Sequence, residues 1–324
     1  MALPVLLMPG PMYQSVLDGT ADRFEVIRLW EADDPDAVLA ERAEDIVAVA
    51  NGGTTIDGEF LDRLPSLQII ASFGVGYDKI DAAAAADRGV VVTNTPGVLD
   101  DEVADTALGL LLMTVRELPQ AERYLRAGRW QKEGPYPLTP TTVHGRTMGI
   151  LGLGRIGEAI AHRAKAFGVS VAYHNRRRKD VAYRYYPTLL ELAREVDVLM
   201  VVIPGGEDTR HLVNAEILEA LGPNGILINV ARGSVVDEAA LVEALRSKAI
   251  LGAGLDVFEH EPAIHPGLLE VDNAVLLPHV GSASVPTRDA MGRLVVENLI
   301  SWFDRGVPVT PVPESADLVR RGDG

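Results

Sequence analysis

Met148-Gly149-Ile150-Leu151-Gly152-Leu153-Gly154-Arg155-Ile156-Gly157 is a strand-like run that leads straight into three glycines spaced G-x-G-x-x-G. At this spacing the first glycine allows a tight turn, the second lets backbone N–H groups approach a pyrophosphate, and the third lets the next helix pack closely on the sheet. A helix beginning near Ile156, with the Ala-rich stretch Glu158 to Phe167 as its amphipathic body, aims its positive end at the anion. Strand, glycines and helix together predict a dinucleotide cradle built from Gly152, Leu153, Gly154, Arg155, Ile156 and Gly157.

The next strand, Val169 to His174, ends where a carboxylate often holds the ribose diol of NAD, yet here the position carries Asn175, 23 residues after Gly152. Arg176, Arg177 and Arg178 follow. A carboxylate would repel a 2′-phosphate, whereas arginines grip one, so the cofactor expected is NADP(H), with Asn175, Arg176 and Arg177 at its ribose phosphate. The plain alternative is that Arg176 to Lys179 is a solvated charge run.

Outward from the glycines, short apolar runs alternate with helix-like stretches, the pattern of parallel sheets with crossover helices. Before the motif they are Pro4 to Met8, Phe24 to Leu29, Ile46 to Ala50, Leu67 to Ser72 and Val90 to Asn94; after it, Val196 to Val202, Gly225 to Val230, Gly252 to Val257 and Ala274 to Leu277. One long helical stretch is expected from about Asp101 to Gly128, followed by a proline-containing loop, and a last helix from about Val285 to Arg305. The fold class predicted is α/β, two doubly wound parallel-sheet domains with a Rossmann cofactor domain inserted in a flavodoxin-like substrate domain. The expected boundaries are 1–98 with 287–324 for the substrate domain and 99–286 for the cofactor domain.

At 324 residues the chain suits two domains, each large enough for its own core. A formal charge of −16, from 46 acids against 30 bases, argues against a nucleic-acid partner, which needs an excess of exposed cations. Cysteine is absent, which rules out disulfides and Cys-ligated zinc, and no metal site is read. The run Met1 to Met8 has no basic flank and reads as a first strand, not a signal peptide. No apolar run reaches the roughly 18 residues of a membrane span. A soluble, cytoplasmic protein with no membrane partner is expected.

Three polar residues stand just beyond successive strands of the cofactor domain, at the sheet edge where open α/β proteins bind ligands. Arg232 carries five donors able to hold a carboxylate in a fixed plane. His279, after Leu276-Leu277-Pro278, projects from a strand end beside Gly281. Glu261, in Glu259-His260-Glu261-Pro262, could hydrogen-bond that histidine and favour its protonated form. Singly, each reads as a surface arginine, a capping histidine or one acid among many.

Together, Asn229-Val230-Ala231-Arg232-Gly233, Gly254-Leu255-Asp256-Val257-Phe258-Glu259-His260-Glu261-Pro262 and Pro278-His279-Val280-Gly281 strongly resemble the D-isomer-specific 2-hydroxyacid dehydrogenases, over a span from about Ile69 to the last helix. The resemblance implies that Arg232 orients a 2-oxo acid, that His279 exchanges the proton and that Glu261 supports His279. It also implies that the backbone N–H groups of Val75 and Gly76, in Ser72-Phe73-Gly74-Val75-Gly76-Tyr77-Asp78, bind the substrate carboxylate. Thr106 would lie near the nicotinamide and Asp256 would meet its carboxamide, the alternative for Asp256 being a strand-end residue that caps backbone. The Asn175 departure resembles the NADP-linked glyoxylate and hydroxypyruvate reductases of the family. The implied partner is a small anionic 2-oxo or 2-hydroxy acid, and the implied assembly a homodimer through the cofactor domain, with Trp130 reaching the partner's pocket. Tyr77 and Met291 are candidates for excluding bulk. Alternatives are an aromatic 2-oxo acid reductase, such as one acting on hydroxyphenylpyruvate, and a dinucleotide-sensing corepressor-like protein.

Overall fold

The computed structural model describes residues 2–320 and divides the chain into two compact units, one made of the residues up to Leu99 together with those from Ser284 onward, the other of Asp100–Ala283. The first unit holds β1 (Val5–Met8), β2 (Glu25–Arg28), β3 (Ile46–Asn51), β4 (Ile69–Ser72) and β5 (Val91–Thr93), all parallel, in the order β2-β1-β3-β4-β5. That is the flavodoxin-like order. Alternation divides each strand between two faces: Val5 and Leu7 pack with Leu39, Leu61 and Val92, while Leu6 and Met8 pack with Val295 and Leu299 of the last helix, Val285–Arg305. Each such buried leucine contributes on the order of 2 kcal/mol. The last helix crosses the helix Gln14–Thr20 so closely that a Cβ on Gly292 would stand 2.0 Å from Ser15 Oγ.

The second unit holds β6 (Thr147–Leu151), β7 (Ser170–His174), β8 (Arg184–Tyr185), β9 (Val198–Val201), β10 (Ile226–Asn229), β11 (Gly252–Leu255) and β12 (Ala274–Leu276). These too are parallel, in the order β12-β11-β10-β9-β6-β7-β8. The order reverses between β6 and β9, and such a switch point opens a ligand crevice beyond the strand ends. Gly152 sits at this point with φ +99°, where a Cβ would lie 2.6 Å from Ile203 Cγ2 and 2.7 Å from the Val202 carbonyl oxygen. The expectation of two parallel-sheet α/β domains, one of them Rossmann, therefore holds. No helix among the described residues is long and apolar enough to cross a membrane.

Two local expectations are corrected. The single helix expected from Asp101 to Gly128 is broken into Asp100–Val115 and Leu118–Arg126, followed by a short helix, Arg129–Glu133. Glu117 takes a left-handed φ of 50° at the break. Pro119 is the cause: it lacks an N–H and its ring would clash with the Val115 carbonyl of a continuous helix, but it is tolerated in the first turn of a new one. Trp130 accordingly lies on a helix and not in the loop that was expected. The edge strand β8, only two residues long, carries no readable alternation and was not anticipated.

Candidate active site

The glycine loop is tied at several points. The Gly152 N–H donates to the His174 carbonyl at 3.0 Å, and the Glu158 N–H to the Gly154 carbonyl at 2.9 Å, which starts the helix Arg155–Ala166. That helix has Gly154 as its N-cap with no side-chain cap, so its first N–H groups are offered to a ligand. The three glycines differ in what a side chain would meet. At Gly157 a Cβ would stand 2.5 Å from the Gly152 carbonyl oxygen; at Gly154 it would meet nothing within 4 Å. The middle position is thus a cradle kept open toward the outside, which fits a dinucleotide pyrophosphate, while the outer two are closed by the protein itself.

Asn175 turns toward this loop, its Oδ1 accepting the Leu153 N–H at 2.6 Å. Lys179, read from sequence only as part of a charge run, donates from Nζ to the Leu153 carbonyl at 3.0 Å and pairs with Glu158. Arg176, Arg177 and Arg178 are exposed and make no hydrogen bond or ion pair among the described residues. The run therefore divides into one lysine that braces the cradle and three arginines available to an anion.

Beyond β10, β11 and β12 the structure brings Arg232, Asp256, Glu261 and His279 into one neighbourhood. The buried Asn229 accepts the Ala231 N–H at 3.0 Å and donates to the Arg232 carbonyl at 2.9 Å, which fixes the turn that presents Arg232. The His279 N–H donates to the Asp256 carbonyl at 2.9 Å, and His279 adopts φ +52°, a left-handed conformation costly for a non-glycine residue. Asp256 holds it there: its carboxylate, 1% exposed, accepts the N–H groups of Val280 at 2.7 Å and Gly281 at 2.8 Å. Burial pushes the Asp256 carboxyl above its ordinary value, and those two backbone donors offset part of the rise. Thr106 joins the same turn by donating to the Gly281 carbonyl at 3.3 Å.

Glu261 uses both oxygens, Oε2 against His279 Nδ1 at 2.8 Å and Oε1 accepting the Phe258 N–H at 3.0 Å. A carboxylate is acceptor-only, so Nδ1 carries the proton of this bond and Nε2 is left to exchange one. Burial raises the Glu261 carboxyl, but the hydrogen bonds from His279 and Phe258 and the charges of His279 and Arg232 outweigh it and leave the group below its ordinary value. Gly233, next to Arg232, passes against the chain before Glu261: a Cβ there would stand 1.8 Å from the Phe258 carbonyl carbon. The turn carrying Arg232 and the loop carrying Glu261 are therefore packed backbone to backbone.

In the first unit, the Thr95 N–H donates to the Gly74 carbonyl at 2.9 Å and Asn94 Nδ2 to the Val75 carbonyl at 2.8 Å. These bonds hold the loop by its carbonyls, and the N–H groups of Val75 and Gly76 make no hydrogen bond among the described residues. The Tyr77 hydroxyl bonds Glu314 at 3.1 Å, and its phenol is pushed up to about 12 by burial and then by the Glu314 charge. Met291 lies in the core of this unit, 2% exposed.

Comparison with known proteins shows which family this chain resembles. The family model described as D-isomer specific 2-hydroxyacid dehydrogenase, NAD binding domain, matches residues 108–281. The chain is similar to the NADPH-dependent glyoxylate/hydroxypyruvate reductase of Sinorhizobium meliloti, solved in complex with NADP and malonate, with a TM-score of 0.93 and 53% identity over 97% of this chain and 98% of that one. It is 45% identical to a glyoxylate/hydroxypyruvate reductase of Arabidopsis thaliana, and 45% identical to a hydroxyphenylpyruvate reductase of Plectranthus scutellarioides, in each case over 95% of this chain and 98% of the relative. Matched by the family model over more than half of its length and 53% identical to a solved relative across nearly the whole of both chains, this chain belongs to the D-isomer specific 2-hydroxyacid dehydrogenases.

Proposed function

We propose that the protein is an NADPH-dependent reductase of small 2-oxo acids, glyoxylate and hydroxypyruvate foremost. The observation that carries this reading is the His279–Glu261 pair at 2.8 Å, set with Arg232 beyond adjacent strands of the sheet that also bears the glycine cradle. NADPH, when bound, supplies the hydride. Its pyrophosphate fits the open face at Gly154 and the N–H groups of Arg155, Ile156 and Gly157, and its 2′-phosphate the exposed Arg176 and Arg177, with Asn175 bracing Leu153. Thr106 and Asp256 belong to the nicotinamide end, and Asp256 also sets the turn of His279.

Arg232 takes the carboxylate and carbonyl oxygen of the acid and holds the carbonyl carbon in place for attack. His279 gives its Nε2 proton to the carbonyl oxygen, so that C=O becomes CH–OH, and regains a proton from solvent. Glu261 keeps the ring oriented through Nδ1 and stabilises its charged form. The N–H groups of Val75 and Gly76 serve the substrate carboxylate. The unit that contains them is the substrate-binding part of the chain and the unit from Asp100 to Ala283 the cofactor-binding part.

The protein works in the cytoplasm as a homodimer joined through the cofactor-binding unit. Supporting the dimer, Leu118, Leu125, Trp130 and Leu138 are exposed on one short stretch, beside a cavity of about 520 Å³ lined by Tyr124, Tyr136, Leu251 and Val275. Trp130 acts in the partner's pocket, and its 60% exposure supports this reading. A second reading, reduction of aromatic 2-oxo acids, has the Plectranthus relative in its favour.

Glyoxylate, hydroxypyruvate, pyruvate and hydroxyphenylpyruvate assayed with NADPH and NADH decide between them. Turnover greatest on the two small acids with NADPH, and reduced on the order of 100- to 10,000-fold by His279→Ala, is the expected result. Preference for the aromatic acid favours the second reading, and no turnover on any acid favours a dinucleotide sensor.

A further inference from the structure

We infer that His211 is a positioning residue that locks the Arg232 turn and the Glu261 loop into one register. The inference rests on the reductase reading for the roles of those two residues. His211 lies in the loop after β9 and touches the neighbours of both. Its N–H donates to the carbonyl of Ser234, two residues beyond Arg232, at 2.8 Å. Its ring Nε2 bonds Glu259 Oε1, two residues before Glu261, at 2.8 Å. To make both contacts His211 holds a left-handed φ of 51°, one of four non-glycine residues with positive φ among the described residues, another being His279 itself.

The surroundings of Glu259 explain why this grip matters. Its side chain is only 10% exposed, and Arg210 Nη2 meets the same Oε1 at 2.6 Å. Its N–H donates to the buried carboxylate of Glu238 at 2.8 Å. The segment 258–261 is thus held from one side by Glu238 and from the other by Arg210 and His211, with Gly233 packed against Phe258 between them. Arg210 is half exposed and satisfies the charge of Glu259; the His211 ring adds the directional bond that fixes where the carboxylate sits. Losing the ring leaves Glu259 paired but free to pivot toward Arg210. Glu261, two residues on, then loses its set distance to His279, and misplacement by about 1 Å costs up to roughly 100-fold in rate.

Three variants of the full chain separate this role from a merely structural one. Asn tolerates the left-handed backbone but does not reach Glu259, whereas Gln places an N–H donor near the position of Nε2. His211→Asn is expected to lower kcat by about 10- to 100-fold, with the NADPH dissociation constant, read by fluorescence, within about twofold of wild type. His211→Gln recovers most of that loss, and Glu259→Gln, which removes the charge and keeps a bond, shifts the pH limb of kcat/KM in the same sense as His211→Asn. Unchanged kcat and pH profile in His211→Asn, or equal impairment of His211→Gln and His211→Asn, overturns the inference. A wild-type chain with no turnover on any 2-oxo acid overturns the reductase reading instead. The inference is then read in the ligand-free protein from the NMR titration curve of the His279 ring, which must differ between wild type and His211→Asn; identical curves refute it.

Discussion

Gly154→Ala separates what the glycine cradle does for the fold from what it does for the ligand. Gly154 has φ −91° and ψ −156°, extended backbone open to any residue, and a Cβ there meets nothing within 4 Å. Alanine is a poorer N-cap than glycine, but it also reduces the freedom of the unfolded chain, and the two effects offset to within about 1 kcal/mol. The melting temperature is therefore expected to stay near that of wild type. The added methyl fills the surface on which a pyrophosphate would rest, so at least one charge-assisted bond from the helix N-terminus is lost or stretched. One such bond is worth about 1.5–3 kcal/mol, or roughly 10- to 100-fold in the dissociation constant. Titration of NADPH by fluorescence, alongside a thermal melt, measures both quantities on one sample. Gly157→Ala is the contrast: its Cβ would stand 2.5 Å from the rigid Gly152 carbonyl, and overpacking of this kind costs about 1–3 kcal/mol of stability. Gly154→Ala binding NADPH as tightly as wild type would refute the cradle; Gly154→Ala melting as low as Gly157→Ala would refute the distinction between the two glycines.

Three further outcomes are expected. Gly233→Ala must push back the Phe258 backbone, whose carbonyl carbon would stand only 1.8 Å from the new Cβ, so it should lower kcat at least about 100-fold through Glu261 while leaving NADPH binding nearly intact, and wild-type turnover would show the two loops to be independent. Arg176→Ala with Arg177→Ala should weaken NADPH by roughly 30-fold in low salt, as expected for two exposed cations each worth about 1 kcal/mol against a phosphate, and equal weakening of NADH would mean that the run is only a solvated face. Glu261 has a folded value below its ordinary 4.5, so its contribution to stability is present above that pH and lost as pH falls through the folded value. Urea melts should therefore show Glu261→Gln less stable than wild type at neutral pH, with the gap closing as the pH drops below about 4.5; a gap that does not change with pH contradicts the assignment.

Much of the fold was legible because its signals are local. An apolar run between turn residues reads as a buried parallel strand wherever it falls, and the spacing of Gly152, Gly154 and Gly157 constrains a single turn of backbone. Arg232, Glu261 and His279 follow readable strands, but singly each read as an ordinary polar residue, and only the resemblance of their flanking motifs to a known family singled them out. What escaped were contacts whose partners lie far apart in sequence. Lys179 looked like one more charge until its Nζ was found on the Leu153 carbonyl, and His211 sat in a stretch with no motif of its own. The broken helix is a different failure, because Pro119 was there to be read and the apolar periodicity on either side of it concealed the stop.

By itself, then, the sequence determined the kinds of elements, the glycine turn and the residues that stand at strand ends, since each follows from steric and hydrophobic preferences over a few neighbouring positions. Only the tertiary structure decided which strands lie side by side and therefore which loops meet. Parallel order β12-β11-β10-β9 sets the loop of His211 beside the turn of Arg232, that turn beside the loop of Glu261, and Glu261 within 2.8 Å of His279. Hydrogen bonds between neighbouring parallel strands fix those distances, and no spacing along the chain encodes them.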